Sequence, residues 1–454
     1  MLKALCRTLT AARPRGSHAR TLAAVTLAAA LVAGCGSSST TPRSSATGQG
    51  PGGSMKGQLT VWDWDDSTPG FAKAFAQIDK QFEAAHPGVT IKRVVQPYPN
   101  YPQLMQATFT AGSGPCVAEF LVGQNGPAVL HFMQGLVPLN AYVTPAMRSQ
   151  LTQLNTVSSN YSSSGTIYAL PFGLQPQVLY YNKKLFKKAG LNPNQPPTTY
   201  AQLASDAKAL KAAGITPFAG GNQDGFMSEW WFSYLYPGFG TEQKSLQLAL
   251  GKLALDDPSV TNTISHFLSL VHNGGFSANV ASEALTPDAA NDFAAGKGAM
   301  FVGLGSGGTA SYVPFDQSLG TANVGVAEAV GETGTPSYLP GGPASSWGIP
   351  TYCKTQQLAW DYIKYSTSVA AARLLWEDDG MLPGNTGFTL PSNAVVQARE
   401  MAAAFGSHPF LYPAHGLWSA SVDNAYRQQM ELAVDGKESA AQVVSAMQSA
   451  ASAP

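Results

Sequence analysis

The chain has 454 residues, which is long for one ordinary domain and predicts two. A hydrophobic fraction of 44% is enough to form buried cores, whereas the charged fraction of 12% is about half the usual share in soluble domains. Outside the first 34 residues, 22 cationic side chains face 27 acidic ones. This excess of acid excludes a basic surface that would attract nucleic acid, and we expect no nucleic-acid partner.

The first 34 residues have the features of an export signal. Cationic side chains up to Arg20 precede an apolar run of eleven residues, Leu22 to Val32. As a helix this run would rise about 16 Å, too short for a hydrocarbon core of about 30 Å. The sequence Leu-Val-Ala-Gly-Cys that ends at Cys35 resembles the lipobox of bacterial lipoproteins. We therefore expect residues 1–34 to be a removed signal peptide and Cys35 to carry lipid, with ordinary signal cleavage as the alternative.

Residues 35–56 consist mainly of Gly, Ser, Thr, Pro and Ala, which predicts a flexible linker. A short apolar run at 58–63 then indicates a buried strand. After a turn, Phe71, Phe75, Ile78 and Phe82 form an i, i+4, i+7, i+11 stripe that predicts a helix facing a core.

The chain continues to alternate between strand and helix patterns. A strand is predicted at 89–95, after the turn at His86-Pro87-Gly88. The further strands are predicted at 117–122, 166–170 and 177–181, and the further helices at 129–135, 185–189, 200–213, 259–273, 355–376, 419–434 and 440–450. This order predicts an α/β protein with helices packed on mainly parallel sheets.

Several short motifs occur in the order seen in one known family. They are Leu59-Thr-Val-Trp-Asp-Trp64, Phe82-Glu-Ala-Ala-His-Pro-Gly-Val89, Gly114-Pro-Cys-Val117, Gly135-Leu-Val-Pro-Leu139, Tyr168-Ala-Leu-Pro-Phe172, Leu179-Tyr-Tyr-Asn-Lys-Lys-Leu-Phe186, Phe293-Ala-Ala-Gly-Lys-Gly-Ala-Met300 and Trp347-Gly-Ile349. Together, behind a lipobox, they resemble the extracellular solute-binding proteins of ATP-driven sugar importers, the class that includes maltose-binding protein. The resemblance covers nearly everything after residue 57.

The resemblance implies a two-lobed, type II periplasmic-binding-protein fold with a hinge and discontinuous domains. It places an N-terminal lobe at 57–175 plus 345–380, and a C-terminal lobe at 176–344 plus 381–454. The crossing segments would lie near 174–177, 343–346 and 380–383. Ligand would bind in the cleft and close it by hinge motion.

Two cysteines, Cys116 and Cys353, remain after Cys6 and Cys35 are assigned to the leader and the anchor. The sequence alone allows these two cysteines to be separate thiols or to form one disulfide in an oxidising compartment. The family commonly has other residues at both positions, and both positions fall in the N-terminal lobe. The resemblance therefore implies a Cys116–Cys353 bridge.

A neutral sugar needs hydrogen-bond partners for its hydroxyls and aromatic surfaces for its C–H faces. Trp64, Asp65 and Asp66 follow the first strand, where open parallel sheets bind ligands. The other expected ligand-binding residues, several of them by resemblance, are Gln124, Asn125, Phe172, Gln175, Asp224, Phe226, Trp230, Ser306, Trp347 and Trp418. Structural alternatives are an acid at a helix N-terminus for Asp66, a turn for Gln124 and Asn125, and core packing for Trp230.

Close relatives of maltose-binding protein have Trp near the position of Ser306, so this departure argues against a long malto-oligosaccharide.

Two patterns are typical of enzymes. Asp63, Asp65 and Asp66 could form a glycosidase carboxylate pair, but one short loop cannot place two acids on opposite sides of a bond. Gly303 to Gly308 match G-x-G-x-x-G, but Pro314 would interrupt the helix that a nucleotide site requires.

We therefore expect a non-catalytic binding protein without cofactor or metal. It would be a monomer, anchored by lipid at the outer face of a bacterial cell membrane. There it would deliver a mono- to oligosaccharide to the permease subunits of an ABC importer. The alternative is a membrane-anchored carbohydrate hydrolase or a carbohydrate-sensing lipoprotein of the same fold.

Overall fold

A computed structural model describes residues 56–64, 68–97, 100–120, 135–158, 164–305, 307–308, 310–411 and 418–452. Residues 54–454 form one compact unit. No helix within the described ranges has the length and apolar character needed to cross a membrane.

The described ranges contain twelve strands and fifteen α-helices. The strands are β1 (Gly57–Asp63), β2 (Val89–Val95), β3 (Val117–Phe120), β4 (Ala169–Pro171), β5 (Gly173–Asn182), β6 (Thr216–Phe218), β7 (Gly298–Leu304), β8 (Val324–Ala327), β9 (Leu339–Pro343), β10 (Ser346–Gly348), β11 (Leu382–Pro383) and β12 (Phe410–Leu411). The helices are α1 (Pro69–Ala85), α2 (Tyr101–Ala111), α3 (Pro145–Gln150), α4 (Lys183–Lys188), α5 (Tyr200–Ala212), α6 (Phe226–Phe239), α7 (Glu242–Ala249), α8 (Pro258–His272), α9 (Ala290–Ala294), α10 (Tyr312–Leu319), α11 (Gln356–Ser366), α12 (Val369–Asp379), α13 (Val396–Ser407), α14 (Ala420–Val434) and α15 (Ala440–Ala451). A π-helical turn (Leu285–Ala289) and a 3-10 turn (Thr321–Asn323) complete the list.

The first sheet has the strand order β2-β1-β3-β10-β4. β1 runs parallel to β2 and β3, whereas β10 is antiparallel to both of its neighbours. Helix α1 contributes Phe71, Phe75, Ile78 and Phe82 to the core, each at most 3% exposed. The apolar stripe predicted from the sequence is therefore confirmed.

The second sheet has the order β12-β9-β5-β7-β6, and β8 and β11 also pair with β5. β5 is antiparallel to each of its four partners. The prediction of mainly parallel sheets is wrong, since six of the ten described strand pairings are antiparallel. The alternation of strands and helices did not predict the direction of pairing, because the chain passes between two sheets. Consecutive strands are therefore not always neighbours in one sheet.

The described residues form two separate hydrophobic cores. The buried members of the first come from residues 59–172 and 344–381, and those of the second from residues 174–339 and 382–447. Each core therefore combines separate stretches of sequence, as in a two-lobed fold.

The segments in which the chain changes from one core to the other lie side by side. Leu174 of β5 pairs with Pro343 of β9 and, on its other side, with Leu382 of β11. The Ala344 N–H also donates to the Gly173 carbonyl at 2.9 Å. A small antiparallel patch of backbone hydrogen bonds thus joins the two lobes, and these segments overlap the three predicted crossings.

Two predicted elements differ from the structure. The single helix predicted at 355–376 is two helices, α11 and α12. The break follows from Ser368, whose side chain accepts a hydrogen bond from the Ala371 N–H and caps a new helix. The strand predicted at 166–170 is only β4, and Ile167 forms no more than an isolated bridge with Ser158. The helix predicted at 129–135 lies almost entirely outside the described residues.

Cys116 and Cys353 form a disulfide, with Cα atoms 4.9 Å apart and a sequence separation of 237. The bond joins the start of β3 to the segment that precedes α11, so it connects the two separate stretches of the first core. The predicted bridge is confirmed.

Candidate functional site

The segment that follows β7 contacts α1, the helix that follows β1. Gly307, after β7, lies against Phe71 in the first turn of α1. A Cβ atom at Gly307 would lie 3.1 Å from Phe71 Cζ and 2.5 Å from Asp379 Oδ2. Gly307 also has a φ of +66°, a conformation that favours glycine. A residue that follows β7 in one lobe therefore contacts the helix that follows β1 in the other.

Sheet topology relates two more strands to β1 and β7. β3 is a parallel neighbour of β1, and β6 is a parallel neighbour of β7. Parallel neighbours end at the same edge of a sheet, where such sheets bind ligands. Eight of the predicted ligand residues follow these four strands: Trp64, Asp65, Asp66, Gln124, Asn125, Asp224, Phe226 and Ser306. Of these, Asp65, Asp66, Gln124, Asn125 and Ser306 lie outside the described residues, as does Cys35.

Trp64 is held in place by a buried acid. Its backbone N–H donates to Glu119 Oε2 at 2.9 Å, and its ring packs edge-on against Tyr101 with centroids 4.7 Å apart. The Glu119 N–H in turn donates to the Tyr101 hydroxyl oxygen at 3.1 Å. Glu119 is fully buried in β3. Sequence analysis missed this residue, although an acid inside the short apolar run of Val117–Phe120 is a signal that could have indicated it.

Asp63, by contrast, has a structural role. It is fully buried and forms an ion pair with Arg93 at 2.5 Å. Arg93 also binds Asp79 at 2.9 Å and packs over the Phe75 ring at 4.5 Å. Because Asp63 is committed to this buried network, the glycosidase interpretation loses one of its three carboxylates.

Asp224 and Phe226 begin α6 in the second lobe. Asp224 Oδ1 accepts a hydrogen bond from the Phe226 N–H at 3.1 Å, which pairs the first N–H group of the helix. Burial raises the pKa of Asp224. The guanidinium of Arg427 lies over the Phe226 ring, 4.2 Å from its centroid. An acid and an aromatic ring are thus positioned together at the start of this helix.

Arg427 belongs to an ion cluster that we call the Arg427 cluster, formed by Glu229, Asp423 and Arg427. Its Nε lies 2.5 Å from Glu229 Oε1 and 3.3 Å from Asp423 Oδ2. Glu229 is 1% exposed, and burial raises its pKa, as does Asp423, whereas Arg427 opposes that rise. Sequence analysis missed this cluster, although Glu229 is the only acid in the aromatic helix α6.

Three predicted ligand residues are buried rings in this structure. Phe172 and Trp347 stack on each other with centroids 5.1 Å apart, and both pack against Phe75 in the first core. Trp418 is 3% exposed and packs against Phe232 in the second core.

The two remaining predicted residues are partly accessible. Trp230 lies on α6 and is half-buried against the second core. Gln175 is half-buried in β5, opposite Gly342 in the patch that joins the lobes. Within the described ranges, no group of three His, Cys, Asp or Glu side chains could hold a metal ion.

The family model described as "Bacterial extracellular solute-binding protein" matches residues 65–373. A Brucella abortus (strain 2308) protein named as a binding protein is 26% identical over 247 residues, which are 54% of this chain and 57% of the relative. The sn-glycerol-3-phosphate-binding periplasmic protein UgpB of Escherichia coli (strain K12) is 32% identical over 171 residues, 36% of this chain and 38% of the relative. The matches thus span less than two thirds of these relatives.

The fold is similar to that of a solved chitin oligosaccharide binding protein. The TM-score is 0.74 at 21% identity, and the match covers 87% of this chain and 98% of the other.

Proposed function

The chain belongs to the family of bacterial extracellular solute-binding proteins, and on this premise we propose that it captures a sugar between its two lobes for an ABC importer. The permease subunits of that importer would be its partners. In this proposal residues 1–34 are removed and lipid on Cys35 anchors a monomer to the outer face of the membrane. Residues 35–56 act as the tether. The lobes are 57–175 plus 345–380, and 176–344 plus 381–454.

One observation carries the proposal of capture by closure. The two cores are joined by short segments that pair next to each other at β5, β9 and β11. Gly307, which follows β7, lies against Phe71 of α1 in the other lobe. Lobes joined by a few adjacent crossings can close on a ligand by changing backbone dihedral angles in those crossings alone.

The chemistry of the described loops favours a neutral, hydroxylated solute. Asp224 offers carboxylate oxygens, and Phe226 offers an aromatic ring beside it, the pairing that sugars use. Arg427 is the cation next to them, and its charge is already opposed by Glu229 and Asp423. A phosphate would meet two carboxylates around this cation, so we favour a sugar over a phosphorylated glycerol.

Two of the similar proteins point to different ligands, so the test must separate them. Thermal unfolding of the purified chain would be followed with chitin oligosaccharides, maltose, other mono- to trisaccharides and sn-glycerol 3-phosphate. A sugar at about 100 times its dissociation constant should stabilise the protein by about 2.7 kcal/mol. Stabilisation by sn-glycerol 3-phosphate alone would contradict the sugar assignment.

A matched pair of variants locates the site. Asp224→Asn should weaken sugar binding about tenfold, because the amide keeps the shape and loses the charge that strengthens its hydrogen bonds. Asp256→Asn, at an exposed position before α8, should leave affinity unchanged. Mass spectrometry of the recovered sugar should show it unaltered, since members of this family bind and do not transform their solutes. Conversion of the sugar at a useful rate would favour a hydrolase instead.

A further inference from the structure

A cavity of about 440 Å³ lies within the second lobe. Its walls come from β5, the loop at 194–198, β8 and α13. None of the ligand residues proposed above lines it. Its volume falls within the range of about 300–1,000 Å³ that is typical of small-molecule sites.

A buried hydrogen-bond acceptor lies in the wall of this cavity. Gln177 is 3% exposed, and its Oε1 has no hydrogen-bond partner among the described residues. Buried polar atoms are nearly always paired, because an unpaired one costs about 1–3 kcal/mol. Gln177 and Tyr181 line the cavity from β5, together with Pro176 and Val178. A ligand with an N–H or O–H donor would satisfy this oxygen.

The charges of the lining favour a cation. Glu328 and Glu400 supply two acids, against the single cation of Lys183. Burial raises the pKa of Glu400, and the nearby Lys183 and Arg399 lower it. The Tyr181 hydroxyl is already used, since it donates to the Pro193 carbonyl at 3.0 Å. The Tyr181 hydroxyl is therefore not the donor that Gln177 Oε1 lacks.

The apolar part of the lining differs from a sugar-binding surface. One face of Phe410 is covered by Phe405, with centroids 3.9 Å apart. The Tyr181 ring is packed against Gly325. Pro196, Pro197, Val178, Leu339, Met401 and Ala404 complete the apolar wall. Such a wall fits a compact apolar body more closely than the flat face of a sugar ring.

We propose that this cavity is a second binding site, for a small amphipathic ammonium compound. The ammonium group would donate to Gln177 Oε1 and pair with Glu400, and the apolar body would lie against the prolines and Met401. The proposal is independent of the identity of the solute between the lobes.

Isothermal titration with phenethylamine tests the proposal, and 2-phenylethanol serves as a neutral probe of the same shape. We expect phenethylamine to bind saturably and at least tenfold more tightly than the alcohol. Glu400→Gln should weaken phenethylamine binding five- to tenfold, because it removes the negative charge that pairs with the ammonium group. Glu400 is exposed on α13, so the substitution should leave folding intact. Gln177→Leu should weaken it by a similar factor.

The control is Glu431→Gln, the same substitution at an exposed position of α14 outside the cavity, which should change affinity less than twofold. Three results would each overturn the proposal. They are no saturable binding of phenethylamine, equal binding of the alcohol, and equal effects of Glu400→Gln and Glu431→Gln.

Discussion

Replacement of Arg427 by methionine should destabilise the protein by about 3 kcal/mol. Methionine keeps much of the volume of the side chain and removes the charge that faces Glu229 and Asp423. Two unit charges about 4 Å apart interact by about 4 kcal/mol at an effective dielectric constant of about 20. Breaking a buried ion pair from one side costs about 3–5 kcal/mol, and the 25% exposure of the Arg427 side chain places this case at the lower end.

The loss can be measured as a shift in thermal midpoint. Unfolding of the roughly 400 residues in the compact unit carries an entropy of about 0.8 kcal/mol/K, so 3 kcal/mol corresponds to about 4 °C. Urea denaturation of the same variant gives the free energy directly. Arg148→Met, at an exposed position of α3, is the control and should change stability by less than about 0.5 kcal/mol.

The loss of stability in Arg427→Met should depend on pH. Burial holds the pKa of Glu229 above its usual value of 4.5, and Arg427 lowers it. Without Arg427 the folded-state pKa rises further. A carboxyl group whose pKa is raised on folding contributes stability below its unfolded pKa and loses it as the pH rises through the folded pKa. The variant should therefore lose more stability at pH 8 than at pH 5.

A second substitution separates the charge from the packing. Adding Glu229→Gln to Arg427→Met removes the buried charge that has lost its partner, and should recover at least half of the lost stability. The reasoning is refuted if Arg427→Met changes stability by less than 1 kcal/mol, or if the double variant is no more stable than the single one.

Three further predictions concern the disulfide, the contact between the lobes and a buried acid. Replacing Cys116 and Cys353 by serine opens a loop with a sequence separation of 237 and should lower stability in urea by about 3–5 kcal/mol, to the level of the reduced wild type; an unchanged midpoint would contradict this. Gly307→Ala should lower the thermal midpoint more than the control Gly308→Ala, because both glycines have positive φ but only the former would clash with neighbouring atoms; equal effects would argue against a contact between the lobes there. Burial raises the pKa of Asp206 to about 6 from 3.8, so stability should fall as pH rises through this window and Asp206→Asn should reduce the fall; parallel pH profiles would exclude it.

Local patterns predicted helices such as α1, α5 and α8 well, since these depend on neighbours in the sequence, but no strand range was predicted after 177–181, where seven of the twelve described strands, β6 to β12, lie. The stripe of α1 lies on one helix face, so its period alone identified the buried side. The pairing of Asp63 with Arg93 depends on β1 and β2 being adjacent, and Arg93 also reaches Tyr362, 269 positions away. Periodicity contains no information about such distant partners.

In the candidate site, too, local features could be predicted from the sequence and contacts between distant residues could not. The residues after β1 were identified because the end of that strand is visible in the sequence, whereas Asp224 and Phe226 after β6 were identified by the family resemblance. Arg427 was missed, since it reaches Phe226 only after α14 packs near the start of α6. The break between α11 and α12 was missed for a different reason. The apolar pattern continues through it, and a single cap at Ser368 decides it.

The disulfide has a consequence for how the chain can be cut. Most of the second lobe lies between Cys116 and Cys353, so it is part of a covalently closed ring. A protease that cleaves one bond anywhere from 117 to 352 opens this ring without releasing a fragment, because both ends remain joined through the two sulfur atoms. Nicked molecules would stay in one piece in an oxidising environment and separate only on reduction.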